Sequence, residues 1–185
     1  MPEHNAPLSR REETLLRREQ EKTKPAIGDI IPEYLDGEVK KNVQDFAAYL
    51  QSNNIPLKWV SLNGWRARYK GEHFCWVFIT GANTWRIAVF LAHKGKYEET
   101  IINEGLRHIF WNGFSYCVHS AGQSGKGCSP TKACAGGDDR TIFGKQFKGV
   151  CRANHYQMAT VWNPDESTVS SIKRLLNLEM KARDE

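Results

Sequence analysis

The chain has 185 residues, 40% of them apolar and 25% charged, with a net charge of +5 and a pI near 9.0. That is the length of one domain with or without an appendage, and the balance excludes a disordered acidic tail. Apolar runs such as Phe74 to Ile79 are far shorter than a spanning helix needs, which predicts no membrane segment.

Residues 1–28 read as a charged N-terminal arm, with six basic and seven acidic side chains in the first 35 residues. Ser9 followed by Glu12 is a capping-box pattern, and Glu12 to Lys22 are good helix formers. Before Pro25 the only large aliphatic residues past Met1 are Leu8, Leu15 and Leu16, so the expected helix is exposed or frayed, ends near Pro25 and contributes little to folding. The N-terminal run MPEHNAPLSRREE lacks an apolar secretory core. The chain is therefore expected in the reducing cytoplasm.

A single α+β domain is expected over residues 29–185. Val39, Val43, Phe46, Ala47 and Leu50 form one apolar stripe and predict a helix over 36–52, stopped by Asn53-Asn54 and Pro56. Four short runs rich in aromatic and β-branched residues follow, at 57–62, 65–70, 73–80 and 84–92. Asn63-Gly64, Lys70-Gly71 and Gly81-Ala82-Asn83 separate them, which is the pattern of an antiparallel meander. A second helix is expected over 97–110, although Gly105 lies in its interior. From 112 to 155 the periodicity fails, and the stretch reads as a long Gly- and Cys-rich insert. His155 to Trp162 reads as a strand. Asn163 as N-cap, Pro164 at the first helical position and Glu166 three residues on predict a last helix over 164–182. The expected fold is thus α+β, an antiparallel sheet of about four to five strands with packed helices.

Alternation in the sheet places Arg66 and Arg68 opposite Trp65, Ala67 and Tyr69, and Arg86 opposite Trp85, Ile87 and Val89. Such arginines can simply be solvated. In the middle run, however, Phe74, Trp76 and Phe78 point one way and Cys75, Val77 and Ile79 the other, so both faces are apolar and both are expected to be covered. Arg66, Arg68 and Arg86 beside aromatic walls then form a candidate site for a small carboxylate or phosphate ligand. The same composition could stack the bases of a single-stranded nucleic acid, a reading ranked lower because no RNP-like motif is present.

Five cysteines occur, at 75, 117, 128, 134 and 151. Cys75 lies in the buried run and acts as a small hydrophobe. The insert brings Cys117, His119, Cys128, Cys134, Cys151 and His155 within 39 residues. Zinc takes four thiolate or imidazole ligands and can organise a loop too glycine-rich to pack, so these six are candidate zinc ligands. Close C-x2-C pairs are missing, and inert reduced thiols or a redox pair remain open readings. The insert also carries most of the positive excess, with six Lys and Arg against Asp138 and Asp139 over 121–155. Gly122 to Gly127 lacks the spacing of a phosphate-binding P-loop, and Asp138-Asp139 reads as a turn. His73, His93 and His108 read as surface or packing residues.

From Lys58-Trp59-Val60-Ser61-Leu62-Asn63-Gly64-Trp65 onward, about two-thirds of the chain resembles a set of small, uncharacterised bacterial α+β proteins. Their pattern is a tryptophan-bearing meander, a cysteine-rich loop, and the run Thr141-Ile142-Phe143-Gly144-Lys145-Gln146-Phe147 before a cysteine, here Cys151. Asn163-Pro164-Asp165 and a final helix complete it. Members carry closer cysteine pairs in the loop than Cys128 and Cys134, and the resemblance implies a layout but no reaction. A looser similarity is to YdhG-like α+β domains, which share a helix followed by a small antiparallel sheet. No acid–base or nucleophile constellation can be argued from spacing. The leading expectation is therefore a binding or sensing module with a metal- or thiol-organised loop. The alternatives are a thiol-dependent oxidoreductase or detoxifying enzyme using Cys128 or Cys134, and a nucleic-acid binder using the arginine face.

Overall fold

A computed structural model describes residues 9–111, 136–151 and 158–185. Within them the chain is α+β, as its periodicities predict. Helices α1 (Arg10–Thr23), α2 (Ile27–Tyr34) and α3 (Gly37–Ser52) precede the meander β1 (Lys58–Ser61), β2 (Gly64–Tyr69), β3 (Glu72–Gly81) and β4 (Thr84–Phe90). A 3-10 turn at Lys94–Tyr97 leads into α4 (Glu98–Asn103) and α5 (Arg107–Trp111). Strands β5 (Gly137–Ile142) and β6 (Lys145–Cys151) form a separate ribbon, and β7 (Met158–Trp162) and α6 (Glu166–Asp184) close the chain. The main sheet is antiparallel with order β1-β2-β3-β4-β7. No helix among the described residues is long and apolar enough to cross a membrane.

One face of this sheet is the core. Trp65, Ala67, Cys75, Val77, Trp85, Ile87, Val89 and Ala159 are buried beneath Val43, Phe46 and Leu50 of α3 and Val169, Ile172 and Leu176 of α6. The large rings set the spacing, Phe46 lying 6.4 Å from Trp85. The two helices are tied together where Tyr49 Oη donates to Asn177 Oδ1 at 2.8 Å. The β3–β4 turn is locked to the α2–α3 junction, where Asn83 Oδ1 accepts from the Asp36 N–H at 2.8 Å.

Several expectations are corrected. The capping box is present, with the Ser9 N–H donating to Glu12 Oε2 at 2.8 Å, and α1 is largely exposed. Yet the arm is not idle, because its Gln20 is buried against the β1–β2 turn. Gln20 Oε1 accepts from the Asn63 N–H at 2.8 Å and from Trp59 Nε1 at 3.2 Å, while Gln20 Nε2 donates to Asn63 Oδ1 at 2.6 Å. A polar contact of this kind leaves no trace in an apolar count. Helix α2, unforeseen, buries Ile30 and Ile31. The helix expected over 97–110 is two, because Gly105 takes φ +69, a left-handed value that ends α4.

Part of the stretch expected to be irregular, Gly137–Cys151, is the β5–β6 hairpin. Its turn is Phe143-Gly144 rather than Asn-Gly, with φ of +48 and +79, and a register shift between Asp138 and Arg140 breaks the alternation. Phe143 is held in its left-handed conformation by burial against Phe110, ring centroids 4.7 Å apart. Asp138 and Asp139 therefore sit on a strand, not in a turn, and Asp139 Oδ1 accepts from the Gly149 N–H at 2.9 Å. Asn163 does not cap the last helix. Asp165 does, accepting from the Thr168 N–H at 2.8 Å, while Asn163 Oδ1 binds the Trp85 N–H and fastens β7 to β4.

An aromatic and cationic sheet face

The second face of the sheet follows from the register alone. Gly64, Phe78, Arg86 and Trp162 are successive cross-strand partners and form one row. Lys58, Arg66, Trp76, Ala88 and Thr160 form the next. A third begins at Arg68 paired with His73, with Phe90 beside it on β4. Arg66, Arg68 and Arg86, predicted to share a face, do share it.

The bulge in β3 changes which rings join them. Ala67 pairs with Cys75 but Arg68 with His73, so Phe74 is the extra residue. Phe74 is turned into the core, 5.6 Å from Tyr69 and under the Arg183 guanidinium at 5.4 Å. His73 takes its place on the outer face, 5.9 Å from Trp76 and 5.5 Å from Phe90. Trp76 in turn lies edge to face with Phe78 at 6.0 Å and Phe90 at 5.4 Å. Four rings thus form a continuous patch, and Trp162 extends it across β7.

Arg86 is the centre of the first row. Its guanidinium carbon lies 4.4 Å from the Phe78 ring centroid and 5.1 Å from that of Trp162, a cation between two π faces. Phe78 itself folds back over Gly64. A Cβ on Gly64 would fall 2.7 and 2.8 Å from two Phe78 ring carbons and 2.5 Å from Ser61 Oγ, so glycine is required there by close approach. The guanidinium donors lie in its plane, so with rings near its centre the terminal Nη groups are the ones left for hydrogen bonding. Arg86 Nε is buried with no hydrogen-bond partner, as is Trp76 Nε1.

The cover expected over this face, from the insert, a ligand or another chain, falls outside the described residues. Among them Trp162 is 58% exposed, and Trp76, Phe78 and Phe90 are partly exposed. The rings also shield one another. Edge-to-face rings and the Arg86 stack remove part of each other's surface from water, and Ala88 between them is only 3% exposed. No Asp or Glu stands in the three rows, and none of the three arginines pairs with a carboxylate among the described residues. Arg68 is exposed, and its Nη1 donates to Gly71 O at 3.1 Å. The pKa of His73 is lowered below its usual 6.5, first by burial and then by Arg66 and Arg68.

A second polar cluster, invisible in the sequence, lies on the core side of α6. Glu179 is fully buried and accepts from Tyr97 Oη at 2.6 Å, Arg183 Nε at 2.7 Å and the His93 N–H at 3.1 Å, with His93 Nδ1 also at 3.1 Å. Arg183, 4% exposed, donates onward to His73 O at 3.0 Å. With its acceptor sites filled, this carboxylate is a clamp between α6, the 3-10 turn and the end of β4, rather than a base.

Of the six candidate metal ligands, Cys117, His119, Cys128, Cys134 and His155 lie outside the described residues. Cys151 ends β6 as a partly exposed free thiol, opposite Gly137. Among the described residues no group of three or more His, Cys, Asp or Glu side chains is arranged to hold a metal ion. Cys75 is buried as expected, and burial pushes its thiol pKa far above the ordinary range. Comparison of the chain with family models, with curated proteins and with solved structures finds no match.

Proposed function

We propose that the chain is a binding module whose outer sheet face takes a ligand combining a planar ring with a phosphate or carboxylate. The observation that carries this reading is Arg86, stacked between Phe78 and Trp162 with no carboxylate to neutralise it. Trp162 offers an exposed ring for stacking, and the Arg86 edge offers paired donors beside it. Arg66 and Arg68 add positive potential in the neighbouring rows, which favours anions over neutral rings.

The test is calorimetric titration with adenosine 5′-monophosphate, adenosine and inorganic phosphate. The monophosphate should bind more tightly than either half, and Arg86→Met should abolish the difference between monophosphate and adenosine. Equal affinity for adenosine and its monophosphate would remove the arginine from the reading. No binding of any of the three would overturn it.

A further inference from the structure

The proposed ring-and-anion site occupies one row, yet the face holds three. Its charges and rings are also sorted by strand. Lys58 on β1 and Arg66 and Arg68 on β2 form a cationic strip along one side of the sheet. His73, Trp76 and Phe78 on β3, Phe90 on β4 and Trp162 on β7 form the aromatic strip beside it, with Arg86 set among the rings. A mononucleotide would engage one ring and one arginine and leave the other rings without partners. A face with several rings flanked by a line of cations fits a linear polymer that carries an anion and a planar base in every unit.

We infer that the sheet face binds single-stranded nucleic acid, its phosphates following the Lys58–Arg66–Arg68 strip and bases stacking on Trp162, Trp76 and Phe90. This rests on the ring-and-anion reading above and extends it from one unit to several. Three features carry it. Trp76 and Phe78 lie two residues apart on β3, with Phe90 beside Trp76 on β4 and Trp162 on β7, so several rings share one face within a few strand spacings. The rows contain no carboxylate to repel a phosphate backbone. The Lys58–Arg66–Arg68 strip lies beside these rings, with Lys58 and Arg68 exposed. A duplex buries its base faces within its own stack and cannot use such rings.

The experiment is fluorescence anisotropy of the full chain with labelled twelve-unit oligothymidylate and oligouridylate, a duplex of the same length, and thymidine monophosphate as competitor. Both single strands should bind, the duplex should bind at least tenfold more weakly, and the monophosphate should compete only at far higher concentration. Engagement of three or four phosphates predicts a slope of log K against log salt near −2 to −3, at about −0.7 per phosphate. Trp162→Ala should weaken oligonucleotide binding by roughly tenfold or more. Trp162 is largely exposed, so this change should leave the thermal midpoint in place, and Trp162→Phe should restore most of the affinity.

If the monophosphate binds through Arg86 but the oligonucleotides bind no more tightly, the polymer inference falls and the smaller site stands. Should neither bind, both readings fall together. Equal affinity for duplex and single strand would also overturn the inference, since it would assign binding to charge alone.

Discussion

Changing Glu179 to Gln keeps the shape of the clamp and removes its charge. Arg183 would then be a nearly fully buried cation left with only the longer ion pair to exposed Glu72 at 3.7 Å, still held by backbone carbonyls such as His73 O at 3.0 Å. Breaking a buried pair from one side costs about 3–5 kcal/mol. The remaining carbonyl bonds place this case near the lower end, about 3 kcal/mol, which at typical urea slopes is a loss of roughly 1–2 M in the unfolding midpoint. Tyr97→Phe removes only one of the donors to the same carboxylate, and about 1.5 kcal/mol is expected. Burial tends to raise the Glu179 pKa, but the bonds from Tyr97, Arg183 and His93 together hold it below its usual 4.5. Folded Glu179 therefore binds its proton less readily than unfolded Glu179. Its contribution is complete above about pH 4.5 and is lost as the pH falls through the folded value. The gap between wild type and Glu179→Gln should accordingly shrink in acid. Urea unfolding followed by tryptophan fluorescence at pH 7 and pH 4 measures both quantities. A cost below about 1 kcal/mol at pH 7, or a gap that widens in acid, would refute the reasoning.

Gln20→Ala should cost about 1–2 kcal/mol in the same assay, because it strands the buried Asn63 N–H that Gln20 now satisfies. Deleting residues 1–24 should cost as much, and no change in either variant would return the arm to an idle role. Gly64→Ala should destabilise by about 1–3 kcal/mol as its methyl displaces the Phe78 ring, and should weaken ligand binding through the Arg86 stack. The His73 ring should titrate below pH 6.5 by NMR and shift upward when oligothymidylate binds. Its depressed pKa means the folded state favours neutral His73, so its effect on stability is unfavourable as the pH drops below about 6.5.

The parts of the fold readable from sequence are those where one physical signal acts alone. The α3 stripe from Val39 to Leu50 and the turns at Asn63 and Asn83 are local patterns, and they set the helix and the meander. The arginine face was legible for the same reason, since period two assigns Arg66, Arg68 and Arg86 without reference to any partner. Legibility failed where a contact between distant residues decides the outcome. The extra residue Phe74 is defined only by pairing across to β2, so the exchange of Phe74 for His73 on the outer face could not be seen. Glu179, Arg183, Tyr97 and His93 meet only after α6 packs beside the 3-10 turn, and each alone resembles an ordinary surface residue. Phe143 in a hairpin turn defies local propensity, and burial against Phe110 decides it. Gln20 shows the same limit for polar docking.

The sheet order has a kinetic corollary. β1 to β4 are joined by tight turns and can assemble from neighbouring contacts, whereas β7 must return from beyond the whole stretch between Phe90 and Met158 to pair with β4. Closing that loop is entropically costly before any of its contacts form, so β7 and the α6 that follows it are expected to join late. Trp162 travels on that strand. A chain caught before the final pairing would hold Arg86 against Phe78 alone, with half of its stack missing. Maturation of the outer face would then be the slowest step of folding, readable as a late phase in the fluorescence of a variant that keeps Trp162 as its only tryptophan.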